Sequence, residues 1–119
     1  MARILIVDDS RTSRKILSGL LTEAGHEVVA EAVDGQDGVN KFKELNPDIV
    51  TLDITMPVMD GIEALCKMRE ENKDAKVIMV TAAGQQSKMV EAIKNGASDF
   101  VTKPFEKEDV LKRIEKLAK

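Results

Sequence analysis

Short apolar runs recur along the chain at 4–7 (ILIV), 28–29 (VV), 48–52 (DIVTL), 77–80 (VIMV) and 100–101 (FV), each separated from the next by a segment of helical period. This alternation constrains the fold more than any other feature of the sequence. A strand with one face in water alternates apolar and polar residues, whereas these runs are too uniformly apolar for that, so both faces of the sheet must be covered. Strands that alternate with helices pair in parallel. The reading is therefore an α/β fold, a five-stranded parallel sheet sandwiched between helices in three layers.

The helical segments carry their own punctuation. Ile16, Leu17, Leu20, Leu21 and Ala24 are expected on one face of a first helix, which Gly25 stops. Val39 and Phe42 mark a second, closed by Asn46 and Pro47. Ile62, Leu65, Cys66 and Met68 or Arg69 suggest a third; Met89, Val90 and Ile93 a fourth, ending near Gly96; Val110, Leu111, Ile114 and Leu117 a fifth. A chain of 119 residues with this pattern fits one domain, 1–119, without a linker or an internal repeat beyond the βα alternation.

Composition removes several classes of function. With 18 basic and 21 acidic residues, the formal charge of −3 gives no electrostatic reason to expect nucleic acid as a partner. No apolar stretch approaches the ~18–20 residues of a membrane span, and the first apolar run meets two acids at once, unlike a signal peptide. A cytosolic protein is expected. One cysteine, Cys66, makes neither an internal disulfide nor a zinc site and reads as a buried, inert thiol. One histidine, His26, reads as a surface residue and rules out multi-histidine metal sites.

In a parallel sheet, ligands gather outside the carboxyl ends of the strands, so the residues just after each run are the ones to collect. Asp8 and Asp9 follow the first, Asp53 the third, Thr81 the fourth, and Lys103 with Pro104 the fifth. Ionised carboxylates brought together repel by ~4 kcal/mol for a pair at ~4 Å and an effective dielectric of ~20. A bound cation relieves this, and all-oxygen ligands without a calcium-loop pattern of acids point to Mg²⁺. A carboxylate beside a divalent ion, an ammonium and a hydroxyl is equipped to attack phosphorus, a reaction that asks mainly for positioning and charge neutralisation. Asp53 is the nucleophile this pattern selects.

These residues resemble the receiver domains of bacterial two-component response regulators: the acid pair in ILIVDDS, the acceptor in DIVTLDITMPVMDG, the hydroxyl in VIMVTA and the Lys-Pro in DFVTKPF. The resemblance covers essentially the whole chain, and its length is similar to that of the stand-alone CheY-type chemotaxis regulators of the thermotogal and Gram-positive kind. It implies a doubly wound, flavodoxin-like sheet of order 2-1-3-4-5. It also implies that Asp53 accepts the phosphoryl group and that Asp8, Asp9, Asp53 and the Thr55 carbonyl hold Mg²⁺, Asp8 partly through water. Lys103 would pair with the acyl phosphate, Thr81 would close on it, and the aromatic switch position falls at Phe100. The Lys103–Pro104 peptide is expected to be cis.

The donor implied is a phosphohistidine on a CheA-like sensor kinase, and output would pass by protein contact from a monomer in the cytoplasm, with no effector domain expected after Lys119. A flagellar switch protein is the first candidate target, a phosphatase a further partner, and a phosphorelay shuttle the alternative role. An aspartate-nucleophile phosphatase of the haloacid-dehalogenase kind would need a second Asp two residues past the nucleophile, where Thr55 stands, and would carry its motif on the first strand. Neither a GxGxxG turn nor a Walker loop supports nucleotide binding. A degenerate receiver acting only as a scaffold would lack one of the five residues, and none is missing.

Overall fold

The structure is a computed structural model that describes residues 1–118. Strands and helices alternate throughout: β1 Arg3–Val7, α1 Arg11–Glu23, β2 Glu27–Ala32, α2 Gly35–Leu45, β3 Ile49–Asp53, α3 Gly61–Glu71, β4 Lys76–Thr81, α4 Gln86–Lys94, β5 Asp99–Thr102 and α5 Lys107–Ala118. The strands form one parallel sheet in the order β2-β1-β3-β4-β5. β3 is buried at every position, as its run of Ile, Val and Leu requires.

Alternate side chains of the strands point to opposite faces and build two separate packs. Leu5, Val7, Val50, Leu52 and Met79 meet Val39, Phe42, Leu65 and Met68 beneath α2 and α3. Ile4, Ile6, Ile49, Ile78 and Val80 meet Leu17, Leu21, Val110 and Ile114 beneath α1 and α5. Each large aliphatic chain removed from water in this way contributes about 1.5–3 kcal/mol.

Local chemistry sets the element ends. Ser10, Asp34 and Asp60 cap α1, α2 and α3 by accepting the N–H groups of Ser13, Asp37 and Glu63 at 3.2, 2.8 and 2.9 Å, contacts worth about 1 kcal/mol each. Gly25 ends α1 at φ +93°, and Asn46 ends α2 at φ 46°, the left-handed conformation in which an asparagine is tolerated. Gly61 starts α3 against the backbone of β3. A Cβ there would sit 2.0 Å from the Asp53 carbonyl oxygen, so only glycine lets α3 begin so near Asp53.

Two expectations from sequence, for His26 and Cys66, are corrected, and the helix faces are less deeply covered than their apolar stripes imply. His26 is buried: its Nδ1 accepts the Ala2 N–H at 3.1 Å, tying the start of β2 to the N-terminus. Ile16 on α1, and Val90 and Ile93 on α4, are about half exposed, while Ala92 is the buried residue of α4. A helix resting on a sheet through a small residue turns the flanking branched chains outward. Cys66 is half-buried rather than buried, and its thiol lies 3.4 Å from Asn95 Oδ1.

Candidate functional site

Because the strands run parallel, their carboxyl ends deliver side chains to one edge. Asp53 is the last residue of β3 and Thr81 the last of β4, while Asp8–Asp9 and Lys103 immediately follow β1 and β5. Carboxylate oxygens of Asp8, Asp9 and Asp53 all lie within 4.8 Å of one another. Asp8 and Asp53 are buried and Asp9 is exposed, which gives the cluster one side open to water. Lys103 Nζ reaches 3.0 Å from Asp8 Oδ2 and 3.6 Å from Asp53 Oδ2.

One ammonium does not balance this cluster. Burial, and then the neighbouring Asp8 charge, push the Asp53 carboxyl from 3.8 up to about 6, with Asp9 adding to the rise and Lys103 opposing it. Asp8 is anchored more firmly: its Oδ1 accepts the Ser10 N–H at 2.8 Å, its N–H donates to the Ala32 carbonyl at 3.0 Å, and Arg14 donates to its carbonyl at 2.9 Å. The three acids therefore form an all-oxygen donor set with excess negative charge, anchored at Asp8. That chemistry fits a hard divalent cation.

The remaining residues surround this cluster. The buried Thr81 hydroxyl donates only a long contact of 3.5 Å to the Val101 carbonyl, at the limit of a hydrogen bond, and is weakly held where it is. Phe100, half-buried on β5, lines a cleft of about 390 Å³ together with Thr81, Met89, Thr102 and Lys103. The Lys103–Pro104 peptide is cis. Thr55 is exposed two residues past Asp53.

Sequence reasoning missed Gln85, whose carboxamide bridges two loops at this edge. Its Oε1 accepts the Ala82 N–H at 2.6 Å and its Nε2 donates to Thr55 Oγ1 at 2.8 Å. No spacing rule connects Gln85 to Thr55, so the bridge left no signal in sequence. Val58, between β3 and α3, was missed as well: it stands at φ 68° with its side chain exposed, and Met59 N–H closes on the Pro57 carbonyl at 2.7 Å. A β-branched residue in that conformation is strained.

The chain matches the response regulator receiver domain family over residues 4–115. It is 50% identical to the chemotaxis protein CheY of Listeria monocytogenes over 119 residues, 100% of each chain. Identity to the Thermotoga maritima chemotaxis protein CheY is 48% over 117 residues, 98% of each. Among solved structures, the CheX–CheY–BeF3–Mg²⁺ complex from Borrelia burgdorferi superposes with a TM-score of 0.92 at 40% identity, covering 98% of this chain and 89% of that one.

Proposed function

The chain belongs to the response regulator receiver domain family, and from that premise we propose that it is a phosphorylation-activated switch in which Asp53 takes a phosphoryl group from a sensor histidine kinase. The observation that carries this reading is the convergence of three carboxylates and Lys103 around Asp53 at one sheet edge. We read the whole chain, 1–119, as one receiver domain. Its similarity to CheY proteins over their full length supports a role in chemotaxis. A receiver of this type is not a classical enzyme; the chemistry it performs is on its own side chain.

Asp8, Asp9, Asp53 and the Thr55 carbonyl would hold Mg²⁺, the ion present in the Borrelia complex. When bound, the ion supplies neutralisation of charge on the phosphoryl oxygens. An ionised Asp53 oxygen attacks phosphorus in line with the bond to the histidine nitrogen. The P–O bond forms as the P–N bond breaks, and the imidazole leaves. Lys103 neutralises charge on the incoming group, and the Thr81 hydroxyl, weakly held at rest, is free to turn toward the new oxygens. Attack of water on the acyl phosphate reverses the state.

Output then passes through the surface of α4, β5 and α5, where Val90 and Ile93 are exposed. The proposed partners are a CheA-like kinase, a flagellar switch protein and a phosphatase, with a cytoplasmic monomer as the working form. Among the described residues no helix is long and apolar enough to cross a membrane.

Incubation with labelled acetyl phosphate, and with candidate kinases and labelled ATP, tests the reading. Label that requires Mg²⁺ and is lost in base and on treatment with hydroxylamine, as an acyl phosphate is, is expected. Replacing Asp9 by Ala should weaken Mg²⁺ at least tenfold, since loss of even an outer partner of a bound metal costs about 10–100-fold. Undiminished Mg²⁺ affinity in Asp9→Ala would remove this donor from the site.

A further inference from the structure

Phe100 has two surroundings. On one side is the guanidinium of Arg113 from α5, its Cζ 5.1 Å from the ring centroid, within the range of a cation–π contact. On the other is the cleft of about 390 Å³ that the ring lines with Thr81 and Met89. A cavity of about 150 Å³ is enough to accept a benzene ring, so space for the side chain exists on that side. The ring at rest lies against the cation.

The cation is itself fixed by acids of two elements. Arg113 Nε donates to Asp109 Oδ1 at 3.0 Å one helical turn earlier, and its Nη1 donates to Asp99 Oδ1. Asp99 Oδ1 also accepts the N–H of Phe100 at 2.8 Å. One carboxylate oxygen thus joins the backbone of the aromatic residue to the group that lies on its ring. Guanidinium and ring are aligned by the same node, and neither Asp99 nor Arg113 is fully exposed.

We propose that Arg113 is a positioning residue that holds Phe100 in its resting place, so that the resting population of the switch is set by a guanidinium–ring contact that must break when the ring enters the cleft. This rests on the reading of Phe100 as the relay from Asp53. By linkage, anything that weakens the contact favours the state to which a phosphoryl group at Asp53 binds best.

The test uses the full chain with Mg²⁺ and beryllofluoride as the probe, in wild type and in Arg113→Gln. Two quantities are read: the Phe100 side-chain rotamer populations in the ligand-free protein, from three-bond couplings in phenylalanine-labelled samples, and beryllofluoride affinity, from fluorine resonance. The ring should shift toward the cleft and beryllofluoride should bind about two- to fivefold more tightly, the equivalent of one exposed cation–π contact. Arg113→Lys, which keeps a cation near the ring, should recover most of the wild-type ring population. The affinity gain should vanish when Arg113→Gln is made in a Phe100→Leu background, which a merely structural role of Arg113 would not produce.

Should Arg113→Gln lower the folded fraction, Asp109→Asn loosens the same guanidinium and should move both readouts in the same direction by less. Unchanged ring populations, weaker beryllofluoride binding, or a gain that persists in the Phe100→Leu background would each overturn the clamp. Equal beryllofluoride binding by wild type and Asp53→Asn would instead overturn the assignment of Asp53, while the ring populations would still decide the role of Arg113.

Discussion

Replacing Asp53 by Asn is expected to reduce labelling from any phosphodonor to background, because the amide is neither anionic nor nucleophilic. The same change should make the metal-free protein more stable at neutral pH. The folded state holds a proton on Asp53 up to about pH 6, against 3.8 for the free carboxyl. Above pH 6 the group is ionised in both folded and unfolded chains, and the folded state carries the cost of burial and of the Asp8 charge. As pH falls through 6 toward 3.8, only the folded state takes up the proton, and the cost is removed. A displacement of this size sets an upper bound of about 3 kcal/mol, reduced by solvent screening and by sharing of the proton with Asp8.

Urea unfolding of both proteins without divalent ions should therefore show Asp53→Asn ahead by up to about 3 kcal/mol at pH 7.5, the advantage shrinking as pH falls through 6 and gone only well below 3.8. Lys103 already pairs with Asp8 at 3.0 Å, so the substitution should leave no new unpaired cation. An advantage independent of pH would mean that Asp53 is not the strained carboxyl. Label retained by the variant would assign the acceptor role to another residue.

The second large effect concerns the relay. A phosphoryl group adds about −1.5 to −2 charge and new acceptor oxygens at Asp53. Thr81, a buried hydroxyl at the same sheet edge whose contact with the Val101 carbonyl is 3.5 Å long, gains by turning toward them. Its movement vacates space beside the cleft into which Phe100 can rotate, changing the surface of α4, β5 and α5. Couplings of this kind change affinity by about 5- to 150-fold. Binding of a flagellar switch protein peptide, measured with and without beryllofluoride, should show an enhancement of that order in wild type and little in Thr81→Ala. Equal enhancement in the two proteins would exclude the route through Thr81.

The chemistry of the site was legible in sequence because a single rule of the fold places it. Residues that end parallel strands share an edge, so Asp8, Asp9, Asp53, Thr81 and Lys103 could be collected before any distance was known. The apolar runs were legible for a related reason, since burial on both faces leaves no polar alternation. Strand order was not in the periodicity and came with the family resemblance.

What escaped depends on tertiary partners. His26 is a polar residue made buriable by one backbone N–H from Ala2, far away in sequence. An apolar helical stripe says that a face exists but not how much of it the sheet covers, and so the half exposure of Ile16, Val90 and Ile93 was not legible. Asp109 and Arg113, four residues apart, were readable as a pair on one helix face. That their guanidinium lies on Phe100 follows only from how α5 packs on β5.

The thin attachment of α4 has a thermodynamic consequence. The helix buries one residue, Ala92, and its N-cap Gln85 makes no side-chain capping bond, so it draws little of its order from the core. Helices so held open locally at low free energy and exchange their amide hydrogens early. A partner that covers Val90 and Ile93 supplies the hydrophobic contact the sheet does not, and its binding and the ordering of α4 become one event. The entropy of that ordering is subtracted from the binding energy. Exposed positions of α4 such as Ser87 then also act on recognition through helix propensity, each by a few tenths of a kcal/mol.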